Sequence, residues 1–192
     1  PAAKNEFSGN FSYVDNFDAA DNGVGLKDLN PRWMFLRDFT DCYKVENGKL
    51  KMNLLPGNIY KREPMSAIWA RQQHGTFTAE TEINFTPRND KEIAGLALLQ
   101  KEDHNFVLGK TMKNGKLMIT LTRAEKNNVT IASAPIKAGK LKLKVEGHDR
   151  YYDFYYAEEG GSWQLLAKGV DASNLSTQKS GGFIGACIGL YA

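Results

Sequence analysis

Thr76-Phe-Thr-Ala-Glu-Thr-Glu-Ile-Asn-Phe-Thr86, closed by Pro87-Arg-Asn-Asp90 and followed by Ala94-Gly-Leu-Ala-Leu-Leu99, is the stretch whose reading decides the fold. In its first part Phe77, Ala79, Thr81, Ile83 and Phe85 share one face. Thr78, Glu80, Glu82 and Asn84 share the other, because successive strand side chains point to opposite sides. That is a half-buried strand, ended by a proline and polar turn residues. The second part is apolar almost without interruption, which suits a strand covered on one face by a second sheet and on the other by neighbouring chain.

Outward from this stretch the same signals repeat. Phe106-Val-Leu-Gly109 and Lys116-Leu-Met-Ile-Thr-Leu121 read as hairpin partners around Lys113-Asn-Gly115, since Asn-Gly accepts positive φ at little cost. Strands are predicted at 140–146 and 150–157 with a turn at Gly147-His-Asp149, and Glu158-Glu-Gly-Gly161 turns the chain into Trp163-Gln-Leu-Leu-Ala167. Helical periodicity is scarce. Many short strands at fairly regular spacing predict an all-β, antiparallel two-sheet β-sandwich over residues 26–192. Residues 1–25, rich in Asn, Asp, Gly and Ala, read as a linker with Tyr13 to Phe17 docking as an edge strand.

Composition narrows the function classes. The 192 residues are 42% hydrophobic and 24% charged, as in an ordinary globular domain, and the formal net charge is +3. The lysines of Lys140-Leu-Lys-Leu-Lys144 alternate with apolar residues, so they read as a solvated strand face and not as a phosphate-binding stripe; no nucleic-acid partner is expected. No apolar run approaches the ~20 residues that cross a bilayer, and no membrane partner is expected. Cys42 and Cys187 lack the spacing of a disulfide framework or a zinc site and read as buried free thiols.

Several pieces resemble, in order, the C-terminal β-sandwich of family 43 glycoside hydrolases, the β-xylosidases and α-arabinofuranosidases. They are Asp15-Asn-Phe-Asp18, Leu29-Asn-Pro-Arg-Trp-Met-Phe-Leu-Arg37, Asn47-Gly-Lys-Leu-Lys-Met52, Ala67-Ile-Trp-Ala-Arg-Gln-Gln-His74, Phe77 to Pro87, Gln100 to Phe106, and Gly181-Gly-Phe-Ile-Gly-Ala-Cys-Ile-Gly-Leu-Tyr-Ala192. The likeness covers most of residues 15–192. It implies a concanavalin A-like jelly roll that packs on a catalytic propeller, a domain with no counterpart in this chain. It also implies that a loop of the sandwich places an aromatic residue, here Phe183, in the sugar pocket, where a glycine-flanked ring walls off water. Trp69, Arg71 and Gln72 become candidates for carbohydrate or interdomain contacts. The resemblance admits no cofactor other than a structural calcium, with Asp15 and Asp18 as candidate ligands. The expected partners are the propeller and a xylo- or arabino-oligosaccharide, and the expected compartment is periplasmic or extracellular. The family usually continues past Gly-Leu-Tyr-Ala into a further strand, whose lack here would leave a sheet edge unpaired.

Two further readings compete. Glu80 and Glu82 lie on one strand face about 7 Å apart at ~3.3 Å per residue, a spacing suited to the acid and base of glycoside hydrolysis. The exposed half of the aromatic residues, Trp163 and the Tyr151–Tyr156 segment among them, would suit an autonomous carbohydrate-binding module. His74, His104 and His148 are dispersed and read as structural or surface residues.

Overall fold

The computed structural model describes residues 12–18, 29–36, 41–181 and 185–192. The chain divides into two compact units, Pro1–Pro31 with Lys44–Lys51, and Arg32–Tyr43 with Met52–Ala192. A two-stranded hairpin joins β1 (Tyr43–Val45) to β2 (Leu50–Met52), and its residues 44–51 belong to the smaller unit. Glu46 and Lys49 exchange backbone hydrogen bonds of 2.9 and 3.2 Å across its turn. Asn47 and Gly48 both take positive φ, 54° and 64°, which is the type I′ geometry that an Asn-Gly pair favours.

The expectation of an edge strand at Tyr13 to Phe17 is not met: residues 12–18 are irregular. The Asp15 carboxylate accepts hydrogen bonds from the Tyr13 hydroxyl (2.9 Å) and the Phe17 amide (2.8 Å). Such local side-chain bonding offers the backbone an alternative to a sheet ladder, and Phe17 has a positive φ of 54° that a strand does not allow.

The larger unit is the sandwich. Its strands are β3 (Ala67–Arg71), β4 (Thr76–Ile83), β5 (Ile93–Lys101), β6 (His104–Lys113), β7 (Lys116–Glu125), β8 (Asn127–Pro135), β9 (Leu141–His148), β10 (Tyr151–Glu158), β11 (Gln164–Asp171) and β12 (Cys187–Tyr191). One sheet runs β3-β12-β5-β6-β7-β8 and the other β11-β10-β9-β4, with antiparallel pairing throughout. A short helix, α1 (Thr177–Ser180), follows Ser176, whose side chain accepts from the Lys179 amide as a cap.

Alternation decides which residues are enclosed. Leu96, Leu98, Phe106, Leu108, Ile119 and Leu121 of the large sheet meet Leu141, Leu143, Val145, Tyr152, Phe154 and Tyr156 of the small one. The opposite face of the large sheet carries a second apolar layer, in which Ala97, Leu99, Val107, Trp69, Cys187 and Tyr191 pack with Ile59 and Met65. The Tyr191 hydroxyl accepts from the Ile59 amide at 3.3 Å and fixes that segment over the sheet. The run at 94–99 is therefore apolar because its even positions face one core and its odd positions the other. Cys42 and Cys187 are free and buried, and burial pushes the Cys187 thiol pKa up.

One boundary differs from expectation. The turn after β9 comes at Asp149, with φ 56°, so Gly147 and His148 belong to the strand. Gly147 is needed there for space: a Cβ would lie 2.2 Å from the Phe77 ring. The last strand begins at Cys187 and is central, pairing with both β3 and β5. The sheet edge is β3, where Trp69 exchanges backbone hydrogen bonds of 2.8 and 2.9 Å with Met34.

Candidate functional site

Four loops gather at one end of the sandwich. Residues 72–75 leave β3, 149–150 join β9 to β10, 172–186 join β11 to β12, and the β5–β6 turn lies beside them. Short bonds tie them together: the Asp149 amide donates to the Gly75 carbonyl (3.0 Å) and the Ala172 amide to the Arg150 carbonyl (2.8 Å). The Gln72 side-chain amide donates to the Tyr152 hydroxyl (2.9 Å) and the His74 carbonyl (3.1 Å).

Both described roots of the 181–186 segment are fixed at this end. The Gly181 carbonyl accepts from Gln100 Nε2 at 3.3 Å, and the Ala186 carbonyl accepts from the Gln72 amide at 3.0 Å. Gly181 has φ 73° with open space around it, so the chain turns away from α1 where a side chain would be strained. Phe183 lies outside the described residues.

Below this rim is a depression of about 430 Å³ lined by Arg150, Tyr152, Ser173, Leu175, Gln178 and Ala186, among others. Arg150 closes its side through a two-pronged ion pair with Asp171, Nε to Oδ1 at 3.1 Å and Nη2 to Oδ2 at 2.5 Å. Asp171 Oδ1 also accepts from the Ser173 amide at 2.9 Å. Arg150 first, and Ser173 after it, hold the Asp171 carboxyl well below the usual carboxylate range. The folded state thus resists protonation more than the unfolded chain, whose aspartates titrate near ~3.9. This contribution is complete above that value and is lost as pH falls below it. Asp171→Asn should lower the melting temperature at pH 7 by the equivalent of roughly 0.5–1 kcal/mol after solvent screening, and should flatten the acid limb below about pH 4. Thermal melts of both proteins from pH 7 to pH 2.5 check this, and parallel acid limbs would contradict it.

The other sequence candidates scatter. Trp69 is only 1% exposed, so it is a core residue and is corrected from a contact to a packing role. Its neighbour in register, Gly189, allows the indole to lie directly on the β12 backbone. Arg71, opposite Cys187, is exposed at the end of β3. The Asp15 carboxylate accepts from Tyr13 and Phe17; together Asp15 and Asp18 offer four carboxylate oxygens, where calcium takes six to eight. Among the described residues the three-residue His/carboxylate cluster is elsewhere, at Glu146, His148 and Asp153.

Glu80 and Glu82 are exposed on the outer face of β4, and Glu82 pairs with Lys140 at 3.4 Å. A general acid needs an apolar enclosure that separates its proton affinity from that of its partner; an open sheet face supplies none. Sequence reasoning named Tyr155 as a candidate stacking ring but missed that it shares a row with Glu80. In register, Glu80 faces Lys144, Lys144 faces Tyr155 and Tyr155 faces Leu165, forming one row across the small sheet. The alternation of Lys142, Lys144, Glu146 and His148 on β9 was the available signal.

Residues 25–192 match the family described as the β-xylosidase C-terminal concanavalin A-like domain. A xylosidase/arabinosidase of Butyrivibrio fibrisolvens is 31% identical over 155 residues, 79% of this chain and 30% of the relative. A non-reducing end α-L-arabinofuranosidase of Bacteroides ovatus is 24% identical over 165 residues, covering 83% and 31%. The crystal structure of a GH43_12 protein retrieved from a capybara gut metagenome superposes with a TM-score of 0.79 at 28% identity, covering 86% of this chain and 33% of that one. A xylan β-1,4-xylosidase from Bacillus halodurans shares the fold, with a TM-score of 0.81 at 20% identity, covering 91% and 35%. The chain spans about a third of the length of these proteins. With 168 consecutive positions matched and the two-sheet architecture in place, the chain belongs to the family of β-xylosidase C-terminal concanavalin A-like domains.

Proposed function

We propose that this chain is the accessory sandwich of a family 43 glycoside hydrolase, packing on a catalytic propeller and completing its sugar pocket from outside. The observation that carries this reading is the fixed rim: Gln100 and Gln72 hold the two roots of the segment that contains Phe183. Anchored roots reduce the ordering cost of presenting a residue to a neighbouring domain. On this reading the chemistry belongs to the propeller, and the sandwich contributes shape and water exclusion. The substrates are xylo- or arabino-oligosaccharides, as the names of the relatives suggest, and the enzyme works in the periplasm or outside the cell.

In the intact enzyme, Phe183→Ala should lower kcat/KM on xylobiose or an aryl pentoside roughly tenfold, equivalent to ~1.4 kcal/mol of transition-state stabilisation, with an unchanged melting temperature. Steady-state kinetics decide the matter. Unaltered kcat and KM would remove the loop from the pocket.

A further inference from the structure

We infer that the outer face of the small sheet, around Trp163, carries a binding site for a neutral saccharide chain, separate from the rim at 181–186. The identity of the sugar as a xylan rests on the function proposed above; the site itself rests on the following geometry.

The rim lies at the Thr76–His148–Tyr151 end of this sheet. The row Glu80–Lys144–Tyr155–Leu165 lies four residues further along β4, about 13 Å away at ~3.3 Å per residue. Trp163, just before β11, overhangs that row. It is 36% exposed and Leu165 is 50% exposed, whereas the inward partners Tyr152, Phe154 and Tyr156 are buried. Large apolar groups left in solvent on an otherwise polar face indicate a contact surface.

The rings are held in place. Lys144 Nζ lies 4.8 Å from the centre of the Trp163 ring and 4.4 Å from that of Tyr155. It also reaches Glu146 at 2.8 Å, and its side chain is only 13% exposed. An ammonium held over both rings restrains the orientation of each.

Beside the indole is a depression of about 260 Å³ lined by Glu80, Thr81, Glu82, Lys142 and Trp163. That is below the ~300 Å³ lower bound for drug-sized ligands and suits a single sugar ring. Its lining brings the Glu80 and Glu82 carboxylates and the Lys142 ammonium beside an aromatic ring. A pyranose requires this combination, since it presents C–H bonds on its faces and hydroxyls on its edge.

Charge selects the class. Glu80, Glu82 and Glu146 are set among Lys140, Lys142 and Lys144, so positive and negative charges balance. A balanced surface attracts neither phosphates nor polycations over distance and leaves a neutral polyol as the fitting ligand. The row runs across the strands and opens to solvent at Leu165, which allows a chain to continue beyond the first ring.

The test is affinity electrophoresis of the intact enzyme in gels containing soluble arabinoxylan, with Trp163→Ala and the Glu80→Gln/Glu82→Gln pair as variants. Hydrolysis of aryl β-xyloside and aryl α-arabinofuranoside is measured in parallel. We expect retardation of the wild type, at least tenfold weaker binding for Trp163→Ala, a smaller loss for the double glutamine variant, and unchanged turnover of both aryl pentosides. A wild type that is not retarded, or a Trp163→Ala variant retarded as strongly, overturns the site. If neither aryl pentoside is cleaved while Trp163-dependent retardation persists, the proposed function fails and the site stands.

Discussion

Gly95→Val should leave the chain without a native fold. A Cβ at this position would lie 2.1 Å from the Leu108 carbonyl oxygen and 2.7 Å from the Gly109 Cα. Both are backbone atoms of β6, so no side-chain rotation relieves the clash. Gly95 pairs with Gly109 on one side and Tyr191 on the other, at the centre of the large sheet. Separating these strands would open the ladder and uncover both apolar layers. The cost should exceed ~4–5 kcal/mol, against a total stability for a domain of about 5–15 kcal/mol. The measurement is soluble yield together with far-ultraviolet circular dichroism. Gly185→Ala is the control, since a Cβ there meets nothing within 4 Å, and it should be neutral. A folded Gly95→Val protein would show that β5 and β6 can separate locally.

Trp69→Ala should be the most damaging truncation of a single side chain. The indole is 1% exposed within the second apolar layer, on a strand that also bonds Met34. Its removal deletes a large buried surface and leaves a cavity over Gly189, which has no side chain to fill it. A loss of about 3–5 kcal/mol is expected, or a fall in the urea midpoint of roughly 2 M at a slope near ~2 kcal/mol/M. Equilibrium urea unfolding checks it. A change below about 1 kcal/mol would mean that the second layer adds little to folding and serves chiefly to shape the surface.

The sandwich was legible because its strands obey simple periods. Phe77, Ala79, Thr81 and Ile83 face inward, and the apolar run at 94–99 serves two cores, as the pattern predicted. The turn at Asn114-Gly115 also follows from its residues, with φ of 51° and 74°. Strand β8 was not legible. Asn127-Asn-Val-Thr130 is polar and exposed on both faces, because β8 is the outer strand of its sheet and starts beyond the reach of either core. The glycine at 147 suggested a turn but answers to the Phe77 ring, a contact between residues seventy positions apart that local sequence cannot express.

The rim was only partly legible. Gln72, Arg71, Gln100 and the glycines at 181–185 drew attention through family likeness, yet the likeness did not join Gln100 to Gly181, whose hydrogen bond spans 81 positions. Trp69 misled for a general reason: tryptophan is as apt for a core as for a sugar, and only its register against Gly189 decides. Trp163 and Tyr155 stood out in the sequence as candidate stacking rings, but their alignment with Glu80, Lys144 and Leu165 escaped because the row draws on four strands that meet only when the sheet is assembled.

The central place of β12 bears on how the protein is made. Strand β3 leaves the ribosome well before β12, yet the partner that joins it to β5 comprises residues 187–191. At ~5–20 residues per second, β3 and β5 wait several seconds with bare hydrogen-bonding edges and an uncovered Trp69. During that interval the nascent chain is most exposed to wrong pairing. Slow translation or dilution by chaperones at this stage should govern the yield of native protein more than the stability of the finished sandwich.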